Sequence, residues 1–443
     1  MDLHFIPFEG RFIVYRPLLP LAFLGNQSLV EHVKRLMDGA GPEEETEDVD
    51  RFLEEMGFWD DPPIRPWLNV EDLPVFRPTT ATLLLTTDCN MRCIYCYARG
   101  GEETSLRMPR WMARRAIEEV YRVAKEDGED GFSLAFHGGG EPTIHWTLLK
   151  ESVNRVKEKD LPCHVSMSSN GLWNDEQTAF ISAHFDGLSV SFDGLPEIQD
   201  AQRPTSAGEG SSKRVLETLK ALDEAGTRYG IRMTVTPASM ERLNESVSFL
   251  CEETSCPVMQ VEPSYGMERR SLPEPSHAQA EEFVKAFMAS YETAMKAGRI
   301  LLYSGARPWL LTSSFCSASR EALIVTPEGD VVNCFEVYGR QHPLWERSRI
   351  GRLTERGLHV EEERRRALKD QEERRKEKCR GCYCYWHCAG DCWTRCQGDT
   401  GRNEGRCEVN RAITLELLAW ALAKEQGVWK GIHVQDAACQ PVL

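Results

Sequence analysis

"TLLLTTDCNMRCIYCYARGG", residues 82–101, joins an apolar run that reads as a β-strand to a loop bearing Cys89, Cys93 and Cys96. Two similar junctions follow. "FSLAFH" (132–137) leads into "HGGGEPT", and "LSVSF" (188–192) into "DGLPEIQDAQR". Further apolar runs lie at 164–169, 231–236 and 258–262, and helical patterns separate them. In "SKRVLETLKALDEAG" (212–226), Val215, Leu219 and Leu222 share one face and Gly226 follows as a stop. Repeated strand–helix units predict a parallel sheet with right-handed crossovers, an α/β partial (β/α)6 barrel. Such a fold gathers its chemistry at the C-terminal ends of the strands, where the cysteine triplet and both loops converge.

The residues before this core read as a separate module, 1–78. "LHFIPFEGRFIVYRP" predicts a hairpin turning at Glu9-Gly10, with helices over "SLVEHVKRLM" and "VDRFLEEMGFW", a small winged-helix-like unit. The core is expected over 79–300 and a cysteine-rich region over 301–443, with a helix at 276–298 and a C-terminal helix. The run "VEEERRRALKDQEERRKEK" (360–378) reads as a solvated helix of mixed sign.

Charge and targeting signals narrow the function classes. With 69 Asp and Glu against 53 Lys and Arg, the chain lacks the basic balance of a general nucleic-acid binder. Its N-terminus has scattered charges in place of a secretion signal, and no apolar run reaches the roughly 20 residues of a membrane span. A cytoplasmic protein without membrane or nucleic-acid partners is expected. There the 16 cysteines stay reduced, and metal binding is the default reading. Nine of them fall between Cys316 and Cys407, while Cys163, Cys251, Cys256 and Cys439 read as packed thiols.

Three thiolates can hold three irons of a 4Fe–4S cluster and leave the fourth open, or can form part of a zinc knuckle whose fourth ligand lies elsewhere. CxxxCxxC after the first barrel strand, reinforced by "GGEP" (Gly139 to Pro142) after the second, resembles the radical S-adenosylmethionine (SAM) family. The resemblance implies that Cys89, Cys93 and Cys96 ligate a 4Fe–4S cluster whose open iron is chelated by SAM. Reductive cleavage of SAM then gives a 5′-deoxyadenosyl radical. It further implies that Tyr95 lies near the adenine and that Gly139, Gly140 and Glu141 contact the methionine ammonium. Asn170 in "SSNG" and Ser191 in "SVSFDG" fall where ribose and carboxylate contacts are expected, with Arg203 as a further cofactor contact. Asn-Gly and Asp-Gly also serve as ordinary turns.

The downstream order is Cys316-x12-Gly329-x4-Cys334, then Cys379-x2-Cys382-x5-Cys388-x3-Cys392-x14-Cys407. CxxC alone also suits zinc. The seven-cysteine order resembles the SPASM extension of radical SAM enzymes, which holds two auxiliary iron–sulfur clusters. By that resemblance Cys379, Cys382, Cys388 and Cys407 close one cluster, while Cys316, Cys334 and Cys392 hold the other one ligand short. Cys384 and Cys396 are spare thiols that offer the missing ligand, and substrate is the other source. Sulfatase-maturing relatives carry an extra cysteine before the counterpart of Cys316 and an aspartate after that of Cys334. This chain has no cysteine in 306–315, and Phe335 follows Cys334.

The expected function is that of a peptide maturase that cross-links a ribosomally made precursor peptide, with electrons from a flavodoxin- or ferredoxin-like donor. Residues 1–78 would capture a leader by strand addition. A formylglycine-forming oxidase and a non-catalytic zinc-bound adaptor are the alternatives.

Overall fold

In the computed structural model, residues 2–41, 44–62, 75–102, 104–264, 277–312, 314–316, 322–337, 339–396 and 404–431 are described. Cys439 lies outside them. In chain order the strands are β1 His4–Phe8, β2 Arg11–Arg16, β3 Leu21–Gly25, β4 Thr80–Leu83, β5 Phe132–Phe136, β6 Cys163–Ser169 and β7 Gly187–Ser191. Then come β8 Tyr229–Val235, β9 Val258–Pro263, β10 Ile300–Leu302, β11 Leu323–Val325, β12 Asp330–Val332, β13 Arg349–Thr354, β14 Gly357–Val360 and β15 Val428–Lys430. The chain forms two compact units. One comprises Met1–Asn69, Gly305–Phe315 and Glu373–Gln440; the other comprises Val70–Ser304, Cys316–Glu372 and Pro441–Leu443.

The larger unit is built on one sheet ordered β10-β9-β8-β7-β6-β5-β4-β11-β12-β13-β14. From β10 to β11 every neighbouring pair is parallel, and β12 to β14 add an antiparallel meander. This is the parallel α/β sheet expected from the strand–helix repeats. Alternation follows the two-residue strand period. Leu134, Val165, Met167, Leu188, Val190, Ile231, Met233, Met259 and Val261 are buried on one face. On the opposite face stand Ser133, Ser166, Ser168, Ser189, Ser191, Arg232, Thr234, Gln260 and Glu262, a polar lining.

Crossover helices cover the apolar face. Helix Arg110–Asp127 buries Met112, Ala116, Ile117, Val120, Val123 and Ala124, one stripe at three- and four-residue spacing. It ends at Gly128, whose φ of 71° suits the left-handed cap. Helix Asp175–His184 starts from a reciprocal capping box between Asn174 and Gln177. Helix Glu362–Glu377 departs from its expected solvation: Arg365 and Lys369 are 2% and 4% exposed. Glu362 and Glu372 pair with them from the same helix, and the Arg365 guanidinium lies 5.8 Å from the Phe76 ring centre.

The smaller unit holds a four-stranded antiparallel sheet ordered β1-β2-β3-β15. Glu9 and Gly10 turn the predicted hairpin with φ of 45° and 73°. One sheet face packs Val14, Leu21 and Phe23 against Val33 and Leu53 of helices Gln27–Met37 and Glu47–Glu55, with Phe58. The other packs Ile6, Ile13, Tyr15, Ala22 and Trp429 against Leu418 and Leu422 of helix Glu404–Lys424. Strand β15 takes the outer edge of β3. On β1, Phe8 and Arg11 flank the two-residue turn, so Pro7 falls at an outward-facing position and lacks the N–H that an added strand would need. Among the described residues, no helix is long and apolar enough to cross a membrane.

Candidate active site

The cysteine loop is fastened at both margins. Thr86 bridges Arg107, and the Thr87 N–H donates to Leu106 O at 3.1 Å, so the returning chain closes the loop base. On the other side the Arg92 and Ile94 N–H groups donate to Pro204 O (2.7 Å) and Gln202 O (2.9 Å). Between them the Arg92 guanidinium donates to four carbonyls: Cys89 and Met91 at 2.8 Å, Gly101 at 2.9 Å and Gly100 at 3.4 Å. One planar fork thus ties the start of the loop to its end.

The glycine turn after β5 meets this loop backbone to backbone. The Glu141 N–H donates to Asp88 O at 2.8 Å, and a Cβ on Gly140 would stand 2.0 Å from that same oxygen. Only glycine fits there. The Glu141 carboxylate, 2% exposed, accepts the Thr143 N–H (3.1 Å) and the Thr143 and Ser169 hydroxyls (2.8 Å each) on Oε1, and the Asn170 N–H (2.9 Å) on Oε2. Burial still raises its pKa, and these donors lower it. A carboxylate offers about four acceptor sites over its two oxygens, so Oε2 retains capacity for a ligand cation.

Asp193, at the end of β7, organises the next group. It accepts from the Tyr95 hydroxyl, from Gln202 Nε2 (2.7 Å) and from the Thr234 N–H (2.9 Å), and lies 3.1 Å from Arg203 Nε. The Arg203 guanidinium carbon stands 5.2 Å from the Tyr95 ring centre, and Nη1 lies 3.9 Å from Cys93 Sγ. Burial would lower the Arg203 pKa, but Asp193, Tyr95 and Cys93 hold it above the ordinary value. Asn170 Nδ2 donates to Asn90 Oδ1 at 2.7 Å and lies 3.8 Å from Cys89 Sγ. The structure therefore brings Tyr95, Gly139, Gly140, Glu141, Asn170 and Arg203 around the triplet. Half-buried Ser191 stands beside Arg232 in the sheet register.

Burial and Glu141 push the Cys89 thiol up to about 12, so holding it as thiolate needs a cationic partner. Among the described residues no three His, Cys, Asp or Glu side chains converge on a single-ion site. Three thiols with amide and guanidinium N–H groups near two sulfurs fit a cluster, whose irons each take one thiolate, better than one zinc ion.

Sequence reasoning missed His137, Tyr97 and Arg232 at this mouth, and it read Phe335 only as the residue after Cys334. Phe335 stacks on His137 with ring centres 4.2 Å apart and planes at 16°. Burial, then Arg232, pushes His137 down to about 3. Burial raises Tyr97, with Cys96 and Glu336 adding to it. Arg232 shares the polar sheet face with Thr234, which meets Arg203. Their only sequence signal is position just after, or inward on, a strand.

In the smaller unit, Cys379 and Cys382 act electrostatically on both Cys388 and Cys407, and Cys407 acts on Cys388. Burial pushes Cys388 well above the thiol range and Cys407 up to about 11. A hydrogen bond from Cys384 brings Cys382 down to about 6. Buried Cys384 also lies 3.7 Å from Asn410 O and 3.5 Å from Thr414 Oγ1. Four neighbouring thiols would suit a closed iron–sulfur site. In the larger unit Cys316 and Phe335 pack on Leu84, Ala322, Ile324, Val332 and Trp345. Cys392, in the smaller unit, lies 3.0 Å from Thr394 Oγ1.

A parallel α/β sheet with a cysteine triplet and a glycine-acid turn at its strand ends defines a class, and residues 83–250 match the model of the radical SAM superfamily. The chain is 29% identical over 183 residues to the sporulation killing factor maturation protein SkfB of Bacillus subtilis, covering 40% of each chain. It is 24% identical over 172 residues to the cysteine-type anaerobic sulfatase-maturating enzyme of Clostridium novyi, covering 37% of this chain and 45% of that one. The chain thus spans less than half of these curated relatives. Among solved structures, anSMEcpe with bound AdoMet superposes with a TM-score of 0.61 at 18% identity, covering 79% of this chain and 96% of the other. That likeness is one of fold.

Proposed function

We propose that this protein is a radical SAM peptide maturase that abstracts a hydrogen from a ribosomally made precursor and installs a thioether, carbon–carbon or ether cross-link. The observation that carries the reading is the cysteine loop docked on the Gly139–Glu141 turn, with Asn170, Arg203 and Tyr95 around it. When bound, a 4Fe–4S cluster and SAM would supply the hydrogen-abstracting radical. Cys89, Cys93 and Cys96 would hold the cluster, Glu141 would accept the cofactor ammonium, and Arg203 and Tyr95 would line its berth. Similarity to a protein named for maturation of the sporulation killing factor supports a maturase reading. So does the likeness in fold to anSMEcpe, which has also been solved with a bound peptide.

Residues 1–78, the core 79–300 and the cysteine-rich 301–443 would divide the work into leader capture, radical chemistry and auxiliary clusters. A leader entering the small sheet as a strand would have to displace β15 or use the β1 edge that Pro7 interrupts. A flavodoxin- or ferredoxin-like protein would deliver electrons. Phe335 in place of an acid after Cys334 speaks against the formylglycine-forming alternative.

Anaerobic purification should give a brown protein that, with dithionite, cleaves SAM to 5′-deoxyadenosine and loses this activity in a Cys93→Ala variant. A colourless, zinc-containing protein would sink the proposal. Co-expression with short neighbouring reading frames, followed by mass spectrometry, tests the substrate; a loss of two hydrogens marks a cross-link.

A further inference from the structure

Helix Glu404–Lys424 carries Asn410, 2% exposed, up to Cys388. Its Nδ2 lies 3.4 Å from Cys388 Sγ and 3.0 Å from Asp391 Oδ2. The orientation of that amide is fixed chemically. Ionised Asp391 only accepts, so the end of Asn410 facing it is the NH2, and the same NH2 faces Cys388. Asp391 is itself held by the Arg406 guanidinium, Nε to Oδ2 at 2.9 Å and Nη2 to Oδ1 at 2.8 Å. Arg406 and Asn410 are four residues apart and so share a face of one helix. This buried ion pair offsets the carboxylate charge beside the thiols. Glycine at 305 completes the arrangement, since a Cβ there would stand 2.0 Å from Asn410 Oδ1.

We infer that Asn410 is a positioning residue for the auxiliary iron–sulfur cluster on Cys379, Cys382, Cys388 and Cys407. It donates an N–H···S hydrogen bond to Cys388 that raises the reduction potential of that cluster. The inference rests on the reading of those four cysteines as cluster ligands. Reduction places an extra negative charge on the cluster and its thiolates. In a water-poor interior a donor aimed at sulfur stabilises that charge more than it stabilises the oxidised form. The hydrogen bond therefore favours the role of electron acceptor.

The test uses full-length protein, reconstituted anaerobically, in a Cys89→Ala/Cys93→Ala/Cys96→Ala background that removes the first cluster. Redox titration followed by electron paramagnetic resonance should show a lower midpoint potential in Asn410→Leu, with iron and sulfide per chain unchanged. An unchanged midpoint with the cluster intact overturns the inference. Should Asn410→Leu lose its cluster or misfold, the unsubstituted residue answers directly. Protein labelled with ¹⁵N-asparagine should show a ¹⁵N coupling to the reduced cluster, and absence of that coupling overturns the inference equally. Protein that binds zinc and no iron at these cysteines would instead defeat the cluster reading on which the inference stands.

Discussion

The Arg203 guanidinium and the Asp193 carboxylate form an ion pair in the interior, Nε to Oδ2 at 3.1 Å, with the Tyr95 ring beside the cation. Asp193 is also tied to Gln202 and the Thr234 backbone. The pair thus couples the ends of two neighbouring strands to the cysteine loop. Removing the acid alone leaves a buried cation unpaired. Asp193→Ala is expected to cost about 3–5 kcal/mol, read as a lowered urea midpoint at unchanged slope. A change under 1 kcal/mol would mean that water reaches Arg203.

Arg92 acts on the same loop through backbone alone. Hydrogen bonds from a charged donor contribute about 1.5–3 kcal/mol each, and four carbonyls share this one guanidinium. Arg92→Met should lose the first cluster's share of iron and visible absorbance while the rest of the protein stays folded by circular dichroism. Arg92→Lys should retain part of it. Full iron in both variants would show that the margins of the loop suffice.

His137 gives stability a pH dependence. Its pKa is about 3 in the fold against an ordinary 6.5, so between those values the unfolded chain holds a proton that the folded one refuses. Stability is complete above pH 6.5 and falls as the pH drops towards 3, by up to about 1.4 kcal/mol per unit. His137→Phe keeps a ring against Phe335 and removes the titration. Urea midpoints at about pH 7 and pH 5 should therefore fall further in the native protein than in the variant. Equal falls would exclude His137 as the source.

Trp429, 8% exposed on β15, fills the face of the small sheet shared with Tyr15 and Leu418. Trp429→Ala is expected to destabilise the smaller unit by about 3–5 kcal/mol. Hydrogen exchange should then rise in β3, whose edge β15 covers. Exchange confined to residues 428–430 would show that β3 holds without its neighbour.

What the sequence revealed follows the range of the interactions. Strands β5 to β9 and the helices between them were readable because period and stop signals are local, as at Val215, Leu219 and Gly226. The cysteine triplet and Gly139–Glu141 were readable because together they resemble the radical SAM signature. Arg92 and Asp193 were not, because the partners that define them lie on loops brought together only by folding. Strand β15 has three residues and pairs across almost the whole chain, too little and too far for any local pattern. The burial of Arg365 and Lys369 was equally hidden. A charged run looks solvated until the distant surface that covers it, here including Phe76, is known.

The pairing of Lys430 with Leu21 also sets a timetable for synthesis. Strands β1 to β3 leave the ribosome long before β15, and until the growing chain passes Lys430 the β3 edge stays open to any strand in reach. The larger sheet, whose strands all precede Glu361, has its full set earlier. A nascent chain would meet its helpers, or its aggregates, through the β3 edge.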